Sequence, residues 1–191
     1  MKQQKEIDKV VEKVKKLLND SNFSDALNLL KQNIESGNTD FRLYYLTGTL
    51  YLKLNNLDLA ETNLKNSIKL NNKFSNSLHN LGIALSLKKN YAEAQLNFEY
   101  ALNLDPENLE TLTELGRNYE LNNDFTSAKK YYQIVLKLDN NNKRAESLLG
   151  RMLINSGFHK EGLAYLRKSQ GFIRFNEKNF EILKRKKKKV I

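Results

Sequence analysis

Apolar residues along this chain recur at spacings of three and four, the period of an amphipathic helix. In residues 75–108 the run Leu78, Leu81 and Leu85 lies on one helical face, and Tyr91, Ala94, Phe98, Ala101 and Leu102 lie on another. Between the two runs, Lys89 and Asn90 mark a turn. Asn90 followed by Glu93 reads as a capping box, and Asn22 with Asp25 as a weaker version of it. Similar turn residues stand at Ser21-Asn22, Asn55-Asn56, Asn123-Asp124 and Ser156-Gly157. The pattern predicts helices in pairs, joined by short turns.

The pairs repeat. Gly48, Gly82, Gly116 and Gly150 are 34 residues apart, and so are Ala26, Ala60, Ala94 and Ala128, with Gly162 at the next step. Five units fit without insertion: 7–40, 41–74, 75–108, 109–142 and 143–176. Residues 1–6 extend the first helix. A small residue on each helix of a pair lets the two approach closely, and larger neighbours such as Leu81 and Phe98 fill the gaps. One pair cannot bury its apolar face alone, so stability builds from the interfaces between stacked pairs.

Residue by residue, these units resemble the tetratricopeptide repeat family, whose length and pattern they share. The third unit reads Leu78-x2-Leu81-Gly82-x2-Leu85, then Ala94-x3-Phe98, then Pro106. The fourth has Leu112, Leu115-Gly116 and Tyr119, then Ala128 and Tyr132. The second has Tyr44, Thr47-Gly48 and Tyr51, then Ala60 and Leu64. In the fifth, Leu149-Gly150 and Leu153 keep the pattern while Glu146 and Gly162 depart from it. The first has Val14 in place of Gly but keeps Leu17, Ala26 and Leu30. The family's frequent Trp is absent.

The resemblance implies an all-α, right-handed superhelical solenoid whose first helices line a concave groove. It also implies a non-catalytic scaffold or adaptor that binds a peptide or helical segment of a partner. Mapping the family's inward positions onto this chain gives Arg42, Tyr45, Thr49, Asn76, His79, Asn80, Thr113, Arg117, Ser147 and Arg151, with Ile83, Glu114 and Arg144 beside them. Asn80 can both donate to and accept from a peptide backbone. Arg117 and Arg151 suit carboxylates through the bidentate guanidinium. The carboxylate clamp of chaperone-binding members is not matched. Its five positions read Tyr45, Thr49, Asn80, Glu110 and Glu114, and two Glu where cations are needed repel a terminal carboxylate. A heat-shock chaperone C-terminus is therefore not the expected partner.

Composition narrows the chemistry. The chain has 191 residues, no Cys, two His and one Pro; average usage would give about ten Pro. Disulfides, thiolate metal sites and a Cys nucleophile are excluded. No cofactor and no metal is expected. The Gly residues are too widely spaced to cradle a phosphate. Glu107, Glu110, Glu114 and Glu120 cluster, but their spacing to Arg117 reads as a surface charge network rather than an acid–base pair. His79 points to the groove; His159 fills the slot held by Phe23, Leu57, Tyr91 and Phe125 and reads as a packing residue. No enzyme is expected. Asn and Lys are abundant, and no function is read from that. No apolar run spans a membrane and residues 1–16 lack the apolar core of a secretory signal, so a cytoplasmic location is expected.

The net charge of +10 sits mostly at the ends: +3 in residues 1–16 and +5 in residues 177–191. Gly171 ends the last helix of the array. Asn176 is expected to cap a helix from Glu177 that lays Phe180 and Leu183 on the exposed end of the stack. Beyond it come Lys184, Arg185, Lys186, Lys187, Lys188 and Lys189. Such a run suits an anionic membrane, a nucleic-acid backbone or a localisation signal, or simply solubilises the chain. Tail-driven association with anionic lipid or nucleic acid, the array acting as a spacer, is the alternative to groove binding.

Overall fold

In the computed structural model, the backbone is described for residues 2–170, 173–175 and 180–182, and side chains for residues 5–169. Ten helices occur among the described residues: α1 (Lys2–Asn19), α2 (Phe23–Glu35), α3 (Phe41–Lys53), α4 (Leu57–Leu70), α5 (Ser75–Leu87), α6 (Tyr91–Leu104), α7 (Leu109–Leu121), α8 (Phe125–Leu138), α9 (Lys143–Asn155) and α10 (His159–Gln170). They pair in sequence order, α1 with α2, α3 with α4, α5 with α6, α7 with α8 and α9 with α10. The chain divides into two compact units, Met1–Pro106 with α1–α6 and Glu107–Ile191 with α7–α10.

Asparagine and aspartate start most of these helices. Side-chain oxygens of Asp40, Asn108, Asp124 and Asn142 accept from the backbone N–H of Arg42, Thr111, Ser127 and Ala145 at 2.9–3.0 Å. Asn22 and Asn56 do the same at 3.4 Å. Each bond satisfies a donor that the first turn leaves unpaired. The abundant Asn thus has a structural use that composition alone did not reveal. The capping box expected at Asn90 does not form; its amide instead donates to the Glu93 carboxylate at 2.7 Å. Between the helices of a pair, Ser21, Asn55, Lys89 and Asn123 take positive φ of 57–63°, and Gly157 takes 87°. These are the turn positions predicted from the sequence.

The small residues sit where the pairing argument places them. A Cβ added at Gly82 would lie 2.7 Å from the Phe98 ring, and one at Gly116 would lie 2.8 Å from Tyr132. Gly150 and Gly162 face each other across α9 and α10. Ala60, Leu64, Ala94, Phe98, Ala128 and Tyr132 are fully buried. In the first unit a buried polar bridge reinforces the stack: Ser67 Oγ lies 2.9 Å from the Phe41 carbonyl and 2.8 Å from Ser77 Oγ. In the second, Glu146 occupies the slot of Leu78 and Leu112 and is fully buried. Lys168 and Lys143 approach its two carboxylate oxygens to 2.8 and 3.2 Å.

Ion pairs also tie α4 to the C-terminal end of α5 in the first unit. Lys88 reaches Asp58 at 2.6 Å and Glu61 at 2.8 Å, and Lys65 reaches Glu61 at 2.6 Å. Hydrogen bonds from Lys65 and then Lys88 hold the Glu61 carboxyl below its ordinary range. A depressed carboxylate stabilises the fold above its unfolded pKa of about 4.3, and that contribution is lost as pH falls through the lower folded value. Glu61→Gln is therefore expected to lower the urea midpoint at neutral pH and to flatten the loss of stability below about pH 4.3. Urea curves at neutral and acidic pH check this.

One expectation is corrected at the C-terminal end. Residues 180–182 form a strand, not part of a capping helix. β2 (Phe180–Ile182) pairs antiparallel with β1 (Ile173–Phe175), with Ile173 opposite Ile182, Arg174 opposite Glu181 and Phe175 opposite Phe180. The segments Ile-Arg-Phe and Phe-Glu-Ile alternate with period two and use residues that favour strands. The helical reading rests on Asn176 as a cap and on Phe180 and Leu183 at helical spacing. Residues 176–179 and 183–191, which include the basic tail from Lys184 to Lys189, lie outside the described residues.

Candidate partner-binding surface

Within each unit the first helices of successive repeats approach one another, α3 with α5 and α7 with α9. They form the inner layer that the resemblance implied. Each unit carries its own part of the predicted surface.

In the first unit the inner layer holds a pocket of about 360 Å³ between α1 and α3, lined by Asp8, Val11, Phe41, Arg42, Tyr45 and Phe74 among others. Its aromatic wall is ordered: the Phe74 ring meets Tyr45 edge-on at 4.9 Å and Phe41 at 5.1 Å between centroids. At the rim Arg42 is spoken for. Its guanidinium donates to Asp40 through Nε and Nη2, and to Asp8, one repeat earlier, through Nη1 at 2.7 Å. These carboxylates raise its already high pKa. Arg42 therefore clamps α1 to α3 rather than awaiting a ligand. Lys15 and Glu12 pair at 2.8 Å on the other side.

Next to the pocket runs a polar strip. Thr49 Oγ1 donates to the Tyr45 carbonyl at 2.8 Å and accepts from Asn80 Nδ2 at 2.8 Å. That bond orients the Asn80 amide, which as a group carries a second N–H and an acceptor oxygen. Asn76 is exposed on the same helix, while His79 and Ile83 are half-buried. The His79 ring meets Phe98 edge-on at 6.0 Å, so it is partly a packing group.

In the second unit Arg117, Arg144 and Arg151 are exposed, and Ser147 is half-buried between the latter two. Glu114 pairs with Arg144 and lies 3.8 Å from Arg117. Two sequence-based assignments change here. Thr113 is 2% exposed and its hydroxyl donates to the Leu109 carbonyl, so it offers nothing to a partner. His159 is exposed rather than packed. It opens α10 after Gly157, at the outer end of the pair.

Sequence reasoning missed Phe74, Phe41 and Asp8. A signal was present for the first. Position 34 of the first four repeats reads Asp40, Phe74, Asn108 and Asn142, so Phe74 stands where the others cap a helix. The cap of α5 has no side-chain hydrogen bond, and the ring turns to the pocket instead.

The sequence profile described as tetratricopeptide repeat matches residues 41–74 in one version and 85–167 in another. The chain belongs to the tetratricopeptide repeat family. Members of this family are typically non-catalytic scaffolds for protein–protein interaction. Among solved structures, "Crystal structure of MamA" superposes with a TM-score of 0.72 at 18% identity, covering 82% of this chain and 91% of that one. "MamA 41-end from Desulfovibrio magneticus RS-1" gives 0.74 at 20% identity, covering 84% and 90%. A structure titled "Functional Characterization of Pseudomonas Aeruginosa pilF" gives 0.79 at 18% identity, covering 90% and 79%. At these identities the likeness is one of fold. A comparison with curated proteins found no significant match. No helix among the described residues is long and apolar enough to cross a membrane.

Proposed function

We propose that this tetratricopeptide array is an adaptor whose inner layer holds a peptide or helical segment of a protein partner. The observation that carries this reading is the pocket in the first unit. A layer serving only as support would be filled or fully polar. Instead Phe41, Tyr45 and Phe74 wall a hole large enough for one bulky apolar side chain, beside an Asn80 amide already oriented by Thr49. The partner's side chain enters the pocket, and its backbone pairs with Asn80. Arg117 and Arg151, exposed in the second unit, suit acidic groups there. The rigidity of the Arg42 clamp favours a surface that changes little on binding.

The alternative keeps the array as a spacer and gives binding to Lys184–Lys189. The two readings separate on one comparison. Proteins are captured from native lysate, with nuclease added, on the full chain and on a 1–183 truncation. Inner-layer binding recovers the same protein on both. Recovery that vanishes with the tail, or with the nuclease, overturns it and installs the alternative.

A further inference from the structure

A second break in the capping pattern lies in the other unit. The residue that precedes each second helix reads Asn22, Asn56, Asn90, Asp124 and then Phe158. The Phe158 carbonyl takes the N-cap role, accepting from Gly162 N–H at 2.9 Å, but its side chain has no atom to cap with. It is also 60% exposed. An aromatic ring here forgoes a cap and presents apolar surface to water, which is a double cost. Nearby, Phe125 is 44% exposed. The two rings line a cleft of about 580 Å³, together with Met152, Leu153, Lys129 and Lys130. Met152 and Leu153 are themselves buried, each 2% exposed, so the cleft has an apolar floor. Phe158 also walls a second hollow, beside His159, Lys160 and Glu161. Lys129 pairs with Glu161 at 3.1 Å and lies 6.0 Å from the Phe158 ring. Lys130, which lines the cleft, and Lys160, which lines the second hollow, are exposed cations on either side of Phe158.

We infer that this cleft, at the turn edge of α8–α10, is a second docking site. Its occupant is a short protein segment with a bulky apolar anchor flanked by acidic residues. The anchor fills the space between Phe125 and Phe158 over Met152. The carboxylates meet Lys130 and Lys160. Charge selects among occupants. The chain's own tail, Lys184–Lys189, is cationic and is repelled, and a second copy carries the same +10 charge. A concave, floored cleft suits an entering side chain, whereas an anionic lipid surface would call for protruding apolar groups. The inference stands on residues other than Phe41, Tyr45, Phe74 and Asn80 and does not depend on the pocket of the first unit.

The chain has two methionines, Met1 and Met152, so a methyl-labelled full chain gives a direct reporter of the floor. The probe is the acetylated, amidated hexapeptide DELFED, with DEAAED and KKLFKK as controls. The Met152 methyl resonance is expected to shift and saturate with DELFED and with neither control. Phe158→Asn should weaken that binding about tenfold or more. Because it can form the cap that Asn22, Asn56 and Asp124 make, it should also raise the melting temperature by about 2–4 °C. The Tyr45→Ala plus Asn80→Ala variant, which alters the inner layer alone, should bind the hexapeptide as before. Absence of a shift below roughly 1 mM overturns the inference, and so does unchanged binding by Phe158→Asn. A lower melting temperature for Phe158→Asn assigns the ring to structure and also overturns it. Phe158-dependent binding to phosphatidylserine vesicles without a hexapeptide shift replaces the peptide site with a membrane site.

Discussion

Phe98→Ala is expected to cost about 3–5 kcal/mol, the largest effect of any single substitution considered for this chain. The ring is fully buried. It fills the space that Gly82 leaves open, where even a Cβ would come within 2.7 Å, and its edge also meets His79. Truncation removes the transfer term for a whole aromatic side chain and leaves a cavity between α5 and α6. Backbone collapse cannot close that cavity cheaply, because Ala94 and Ala101 on the same face are already in contact with their neighbours and buried. In a stacked array the damage is passed to adjoining repeats through shared interfaces. Urea unfolding followed by circular dichroism reads the loss. Phe98→Leu, which keeps most of the volume, should lose clearly less. Equal losses for both would mean that the ring is not the filler of the Gly82 gap.

The second large effect comes from the opposite error, overfilling. Gly116→Leu should destabilise by about 1–3 kcal/mol. A Cβ alone would stand 2.8 Å from Tyr132 and 3.3 Å from Tyr131. Tyr132 has nowhere to go, since it is fully buried and its hydroxyl donates to Glu120 at 2.7 Å. Burial, and after it that carboxylate, push the phenol's pKa well up, so the ring stays a neutral donor. Any shift that admits Leu must break this bond or part α7 from α8. The same measurement checks it. A melting curve unchanged by Gly116→Leu would show that the 34-residue register is misplaced.

The register itself was plain from sequence, because it is written in steric requirements that admit few residues. Gly82 over Phe98 and Gly116 over Tyr132 leave little freedom, so the small–large pairs recur at a fixed period. Turns were legible for the same reason: Asn55, Asn123 and Gly157 sit at positive φ. The inner face was less legible. A polar side chain that points inward can serve the protein or a partner, and sequence does not say which. Arg42 serves the protein through Asp8 and Asp40, and Thr113 serves its own helix, whereas Asn80 is held ready by Thr49. The C-terminal segment was misread because Phe180 and Leu183 at a helical spacing outweighed the alternation of Phe180, Glu181 and Ile182. What went unread was the meaning of interruptions. Phe74 and Phe158 each replace a capping Asn or Asp, and each lines a pocket.

Quantitative capture shows whether the inner layer of the first unit receives a protein segment. Native lysate is passed over the full chain and over the Tyr45→Ala plus Asn80→Ala variant, with melting curves confirming that both are folded. A protein is expected to be enriched on the full chain and lost on the variant. Equal recovery on the two would contradict it and move the partner site off the inner layer.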